Sequence, residues 1–189
     1  MPTDSRSRLL IAASVEFAER GLAGARVDRI AENAKANKQR IYAYFGDKSQ
    51  LFNEVVTQRV QELTDAVPLD PYQLPKWVLD QFDYIVAHPE LMRLAAWQEL
   101  ERPEQVPCII ERDYTEYIDK VAKAQREGKV STSFTALDLI VMLSGLAASW
   151  YGSFAARQNV ENDSAWRSNV LATHREALLR AAHLLVDPR

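Results

Sequence analysis

Apolar side chains recur at helical spacing along most of this 189-residue chain, and no stretch shows the strict alternation of a half-buried strand. A chain with this pattern buries its apolar stripes by packing helix on helix. Hydrophobic residues make up 47% of the sequence, which is enough for a buried core and too many for a disordered chain. We therefore predict an all-α protein of about nine helices.

Glycine and proline mark where the predicted helices begin and end. Gly21 ends the first pattern, and Gly46 separates two later ones. Proline fits the first turn of a helix but not its interior, so Pro89 and Pro103 each separate two helices. Three prolines between 68 and 75 form the clearest boundary. The predicted helices span residues 4–20, 27–34, 38–44, 48–63, 73–87, 90–101, 104–127, 135–157 and 164–186.

Basic residues are concentrated at the N-terminal end. Residues 1–60 contain ten Lys and Arg against seven Asp and Glu, whereas the whole chain has a net charge of -3. A basic N-terminal module on an acidic body suits a protein that meets a polyanion through that module. The chain has no run of about 18 apolar residues and no signal-peptide pattern, so we expect a soluble, cytoplasmic protein without a membrane partner.

Motifs for catalysis and metal binding are absent from the sequence. Cys108 is the single cysteine, which excludes an internal disulfide and a cysteine-based zinc site. There is no G-x-S-x-G elbow, no phosphate-binding glycine loop and no H-E-x-x-H, and the three histidines are far apart. We predict no enzymatic activity, no cofactor and no bound metal.

The segment 27–45 is typical of two short helices joined by a tight turn. The first presents apolar residues at helical spacing, which can pack against Ile41 and Phe45 of the second. Asn37 is placed to cap the second helix. A surface that reads DNA and a solvated face over an aromatic cluster both fit this pattern. The second helix begins with three side chains long enough to reach base edges in a major groove: Lys38, Gln39 and Arg40.

Three sequence blocks resemble the N-terminal domain of the TetR family of transcriptional repressors. They are Ala12-Ala13 followed by FAERG at 17–21, VDRIAENA at 27–34, and IYAYFGDKSQLF at 41–52, where family members typically have LYxYFxxKxxLF. The match runs in register from Arg8 to Phe52, over about 45 residues. The resemblance implies a three-helix helix-turn-helix domain at the N-terminus, joined to a larger helical domain for ligand binding and dimerisation.

The resemblance also implies roles for single positions. Tyr42 and Lys48 match residues that contact backbone phosphates, whereas Lys38 to Arg40 and Ala43 match residues that face base edges. Tyr44 and Phe45 match core positions. The predicted DNA-binding residues are Arg26, Lys38, Gln39, Arg40, Tyr42, Ala43 and Lys48.

Three departures from the family pattern affect this region. Ala25 stands where relatives often have Thr, so a helix cap and a phosphate contact are lost, and Arg26 is the expected replacement for the contact. Lys35 stands where relatives often have Gly, so a left-handed backbone there would cost about 1 kcal/mol. Because Ala43 replaces a frequent histidine, operator sequences known for relatives do not transfer.

We predict a helix-turn-helix domain over residues 1–48, a connecting helix over 49–66, and a ligand-binding and dimerisation domain over 67–189. Large aromatic residues recur on helical stripes between 73 and 127. Such stripes are typical of a core, but the resemblance implies a small-molecule pocket among these helices. The predicted ligand-binding residues, which favour a mostly apolar effector, are Phe82, Trp97, Tyr114, Tyr117 and Trp150.

The last two predicted helices carry regular patterns of small residues and of leucine. Small residues on one face of the first allow close helix approach, and leucine recurs every seventh residue on the second. Both patterns fit packing within one chain, and the resemblance implies a four-helix bundle between two chains. The predicted dimer-interface residues are Gly145, Ala148, Gly152, Leu171, Leu178 and Leu185.

These features together predict a ligand-responsive transcriptional regulator, a repressor that binds a palindromic operator on double-stranded DNA as a homodimer. The alternative is a DNA-binding protein whose C-terminal body recruits a protein partner and binds no small molecule.

Overall fold

The structure, a computed structural model, describes residues 4–102, 104, 108–152 and 164–188. These residues form nine α-helices and no strand, so the all-α prediction is confirmed. Residues 105–107 and 153–157, which belong to predicted helices, lie outside the described part. The helices are α1 (Ser5–Gly24), α2 (Val27–Asn33), α3 (Lys38–Phe45), α4 (Lys48–Ala66), α5 (Leu74–Ala87), α6 (Pro89–Glu101), α7 (Cys108–Arg126), α8 (Ala136–Gly152) and α9 (Ser164–Val186).

A break interrupts α1 at Gly21, the residue predicted to end the first helix. Gly21 has a φ of 66°, in the left-handed region that residues with a Cβ rarely occupy. The backbone departs from helical geometry there, and a final short turn runs on to Gly24 and ends with a hydrogen bond from the Ala25 N–H to Gly21 O. The chain then extends through Ala25 and Arg26 before α2 begins.

The chain divides into two compact units. The first consists of Met1–Glu62 and His88–Glu111, and the second of Leu63–Ala87 and Arg112–Arg189. This division differs from the predicted domain boundaries, because α6 belongs with the N-terminal helices. The reason is apolar packing, since Leu94 of α6 is buried in the same core as α1 to α4.

The core of the first unit is built from α1 to α4 and α6. The rings of Phe17 and Phe52 meet edge to face with centroids 5.1 Å apart. Ile30 of α2 and Ile41 of α3 are fully buried beside them. Each short helix thus contributes at least one large side chain that fixes its place in the unit.

The core of the second unit is built from α5, α7, α8 and α9. Leu139 and Leu143 of α8 are fully buried with Phe82 of α5. Trp77 of α5 donates its indole N–H to the Val67 carbonyl (3.3 Å), which satisfies the polar end of a buried ring. None of the helices in the described part of the chain is long and apolar enough to cross a membrane.

Candidate DNA-binding surface

Local sequence sets the turn between α2 and α3. At the end of α2 the Lys35 N–H bonds to Glu32 O and the Ala36 N–H bonds to Ala31 O, which is the paired pattern of a Schellman motif. Lys35 has a φ of 50°, so the left-handed backbone expected at this position is present with a residue other than glycine. The turn brings α3 back across α2 within four residues.

Both ends of α3 are capped by the residues that the sequence indicates. Asn37 Oδ1 accepts a hydrogen bond from the Gln39 N–H (2.9 Å), so the predicted cap is confirmed. Gly46, with a φ of 79°, ends the helix, and its N–H bonds to Tyr42 O. Asp47 Oδ1 then accepts from the Gln50 N–H (2.8 Å) and starts α4.

One face of α3 is buried and the rest is open to solvent. Ile41 and Phe45 point into the core of the first unit. The prediction that Tyr44 is also a core residue is wrong, because 45% of its surface is exposed, although its ring meets that of Phe45 with centroids 6.0 Å apart. The predicted base-facing and phosphate-facing residues of α3 are all exposed, namely Lys38, Gln39, Arg40, Tyr42 and Ala43.

Two basic side chains of α3 already have partners in this unit. Lys38 Nζ lies 2.7 Å from Asp28 Oδ1, and the pKa of Lys38 is raised mainly by this hydrogen bond. Arg40 Nη1 donates to Ser5 Oγ (2.5 Å) at the start of α1. Gln39 is exposed beside them, so among these three side chains it is the most open towards a ligand in front of α3.

Lys48 contacts the end of α1, and Arg26 follows that end in sequence. The half-buried Lys48 Nζ donates to Ala25 O (3.1 Å) and to Ala23 O (3.3 Å). Two of its three N–H bonds therefore have acceptors, and the hydrogen bonds within the described part of the chain leave the third available. The Arg26 side chain is exposed at the start of α2.

Glu16 is a structural residue of this surface that the sequence analysis did not single out. Its carboxylate is 5% exposed and accepts hydrogen bonds from the Arg26 N–H (2.9 Å) and from Arg29 Nη2 (2.6 Å). From α1 it accepts the N–H of the N-cap residue of α2, a helix start that has no side-chain cap of its own. Burial raises the pKa of Glu16, but these hydrogen bonds and the charges of Arg29 and Arg20 outweigh burial and lower it.

The residues predicted to bind a ligand do not all lie in one unit. Phe82 is buried in the core of the second unit, and Tyr114, Tyr117 and Trp150 pack partly buried against that core. Trp97 belongs to the first unit, where its indole N–H donates to Ala18 O (3.3 Å). The prediction groups these five side chains by aromatic character, whereas packing separates Trp97 from the other four.

One of the leucines predicted to form a dimer seam is buried within its own unit. Leu178 is 3% exposed, which leaves little of its surface for a second chain, whereas Leu171 and Leu185 pack against the same core and remain half-buried. On α8, Gly145 is exposed and Ala148 is half-buried. Gly152 ends α8, and its surroundings lie outside what the structure describes.

A short capped helix with exposed basic and amide side chains, held across a second short helix, is the reading element of a helix-turn-helix protein that binds DNA. Two family models match the chain. The one described as bacterial regulatory proteins, tetR family, matches residues 9–55, and the one described as tetracyclin repressor-like, C-terminal domain, matches residues 73–183. The chain belongs to the TetR family of transcriptional regulators.

Individual relatives agree with this assignment. The chain is 40% identical over 149 residues to the HTH-type transcriptional repressor SCO4008 of Streptomyces coelicolor, covering 77% of this chain and 78% of that one. It is 33% identical over 105 residues to the repressor NicS of Pseudomonas putida, covering 52% and 50%. The solved structure of SCO4942 from Streptomyces coelicolor, described as a transcriptional regulator, has a TM-score of 0.87 at 31% identity and covers 98% of this chain and 100% of that chain. The protein is thus a DNA-binding regulator, and its relatives are not enzymes.

The first prediction concerns Glu16, which ties α2 to α1. Because its folded pKa lies below its unfolded value, the carboxylate stabilises the fold fully above the unfolded pKa, and this contribution is lost as the pH falls through the folded pKa. Glu16→Gln should lower the free energy of unfolding by about 1–3 kcal/mol at pH 7. Urea titrations should show this difference shrinking below about pH 4.

Glu19→Gln is the matched control, since it removes the same charge from an exposed position of α1. It should change the free energy of unfolding by less than about 0.5 kcal/mol at either pH. A Glu16→Gln deficit that stays constant with pH would contradict the role given to the ionised carboxylate.

Proposed function

We propose that this protein is a homodimeric repressor that binds a palindromic operator and responds to a small, mostly apolar effector. The observation that carries the proposal is the exposed face of α3, with Gln39 open between two basic side chains. The family assignment and the repressors SCO4008 and NicS support repression as the direction of control.

Base reading and phosphate contact fall to different side chains in this proposal. Gln39 and Arg40 reach base edges, where glutamine pairs with adenine and arginine with guanine. To reach a base edge, Arg40 must first break its hydrogen bond to Ser5 Oγ. Tyr42, Lys48 and Arg26 contact phosphates and set the position of α3 without reading sequence.

Two copies of α3 must act together, because a helix of eight residues reads too few bases to find one site in a genome. A two-fold dimer supplies the second copy and requires half-sites about one helical turn apart. Apolar residues exposed on α8 and α9 support a dimer contact there, since such residues favour burial against a second chain. These residues are Leu137, Val141 and Leu184.

An effector site in the second unit is supported by one buried side chain. Gln81 of α5 is 8% exposed, and its Nε2 has no hydrogen-bond partner among the residues that the structure describes. It lies one helical turn after Trp77, so the two side chains leave α5 on the same face, and the Trp77 ring meets Tyr117 at 5.8 Å. An effector with an aromatic or aliphatic body and one accepting oxygen would satisfy the Gln81 amide.

The second prediction separates sequence reading from positioning. Gln39→Ala should weaken binding to the cognate operator by about 1–3 kcal/mol and relax the preference at one base pair. Lys48→Ala should weaken binding to every duplex and lower the slope of affinity against salt by about one per lost contact. Both are measured by titration on the operator recovered from genome-wide capture of bound DNA. Unchanged specificity in Gln39→Ala would remove α3 as the reading element.

The third prediction tests the dimer. Leu184→Glu places a charge on a side chain that is 76% exposed in one chain, so the single chain should remain folded while the dimer dissociates. Leu100→Glu, at a position 75% exposed on α6, is the control and should remain a dimer. Sedimentation measures whether each variant is a dimer, and circular dichroism measures whether it is folded.

Leu178→Glu is unsuitable, because it would place a charge in the core of the second unit. A dimeric Leu184→Glu would locate the interface elsewhere.

The fourth prediction tests the effector site. Gln81→Leu removes a buried amide that has no partner for its Nε2, so the effector-free protein should gain about 1–3 kcal/mol in stability and lose its response to the effector. Thermal shift against apolar metabolites that carry one carbonyl, carboxylate or hydroxyl group measures both effects. Gln125→Leu is the control, because Gln125 donates to Ser131 O and Phe134 O and its loss should destabilise the protein. An effector response retained in Gln81→Leu would exclude this side chain from the site.

A further inference from the structure

The backbone break at Gly21 leaves two amides of α1 outside regular helical hydrogen bonding, and a carboxylate from α6 binds them. Glu101 Oε2 accepts from the Leu22 N–H (2.5 Å), and Glu101 Oε1 accepts from the Ala23 N–H (3.2 Å). These residues are about 80 positions apart in sequence and lie in the same unit. A charged acceptor makes stronger hydrogen bonds to backbone amides than a neutral one, so this contact fixes the last turn of α1.

Two neighbours of Glu101 hold α6 against the same region. Trp97 covers Gly21 so closely that a Cβ at Gly21 would lie 2.7 Å from the indole ring. Arg102 Nη1 donates to Asn53 Oδ1 (2.8 Å) and to Ser49 O (3.1 Å) on α4. The end of α6, which carries Glu101, is therefore held against α1 by Trp97 and against α4 by the hydrogen bonds of Arg102.

The peptide groups of Ala23 link Glu101 to Lys48. The N–H of Ala23 bonds to Glu101, and its carbonyl oxygen accepts from Lys48 Nζ (3.3 Å). Lys48 also donates to Ala25 O, one residue before Arg26. The last turn of α1 thus lies between an acidic side chain from α6 and a basic one from α4.

We propose that Glu101 is a positioning residue for DNA binding, which acts by holding the Ala23 turn that aims the Lys48 ammonium at a backbone phosphate. The inference rests on the phosphate contact that the proposed function gives to Lys48. Two carbonyl acceptors in fixed places direct the third N–H of Lys48 outward. Without Glu101 the turn moves, the two acceptors move with it, and the ammonium loses its fixed direction.

Simple electrostatics gives the opposite expectation, which makes the proposal testable. A negative charge in the DNA-binding unit repels the phosphate backbone, so its removal alone strengthens DNA binding or leaves it unchanged. Glu99 provides the matched control, because it lies on the same helix, carries the same charge and is exposed. The positioning role therefore predicts that replacing glutamate by alanine weakens DNA binding at Glu101 and does not weaken it at Glu99.

The experiment measures the affinity of full-length Glu101→Ala and Glu99→Ala for operator DNA and for an unrelated duplex. Glu101→Ala should bind both duplexes about fivefold more weakly than the unchanged protein, whereas Glu99→Ala should bind as well or slightly better. Glu101→Gln keeps one acceptor oxygen and should fall between the two. Circular dichroism and thermal unfolding check that each variant is folded. If Glu101→Ala does not fold, the comparison with Glu99→Ala is made with Glu101→Gln instead.

A double-mutant cycle with Lys48→Met tests whether Glu101 affects DNA binding through Lys48. If Glu101 acts through Lys48, then Glu101→Ala should cause no further loss of affinity and no further change in salt slope in the Lys48→Met protein. Additive losses, or equal behaviour of Glu101→Ala and Glu99→Ala, would overturn the inference while leaving the DNA-binding function intact. A Lys48→Met protein with full affinity would instead remove the phosphate contact on which the inference rests.

Discussion

An isolated helix of eight residues does not persist in water, since helices shorter than about 12–15 residues are marginal even with favourable sequences. In the proposed function DNA is read by α3, a helix of that length. Its stability comes from outside: Asn37 caps one end, Gly46 closes the other, and Ile41 and Phe45 anchor it in the core of the first unit. The surrounding helices therefore hold α3 in a fixed conformation without any contact to DNA.

The features that could be predicted from the sequence are those decided by neighbouring residues. The cap at Asn37 and the break at Gly21 follow from the backbone preferences of single residue types, and hydrophobic spacing gives the nine helices. Lys35 is the opposite case, because the Schellman turn imposes a left-handed backbone on a residue type that disfavours it. The hydrogen bonds of the turn outweigh the backbone preference of lysine, and the turn can still be recognised from the sequence.

The features that escaped prediction depend on which helices meet. Trp97 is a large aromatic residue of the kind that lines ligand pockets. Only the packing of α6 on α1 places it over Gly21. Leu178 belongs to a heptad-like pattern, and the same pattern serves a core within one chain as well as a seam between two. Tyr44 lies at the edge of the buried stripe of α3, where one sequence cannot distinguish an inward from an outward ring.

The DNA-binding unit is discontinuous in sequence, because its core includes Leu94 and its α1 break is covered by Trp97 of α6. A chain leaves the ribosome from its N-terminus, and domains generally fold as units during synthesis. The first sixty residues therefore emerge with part of their apolar core open, and they must wait for α6 before the unit closes. The first unit is therefore complete only after about half of the chain has been translated, when α5 is the one helix among the described residues of the second unit that has already been made.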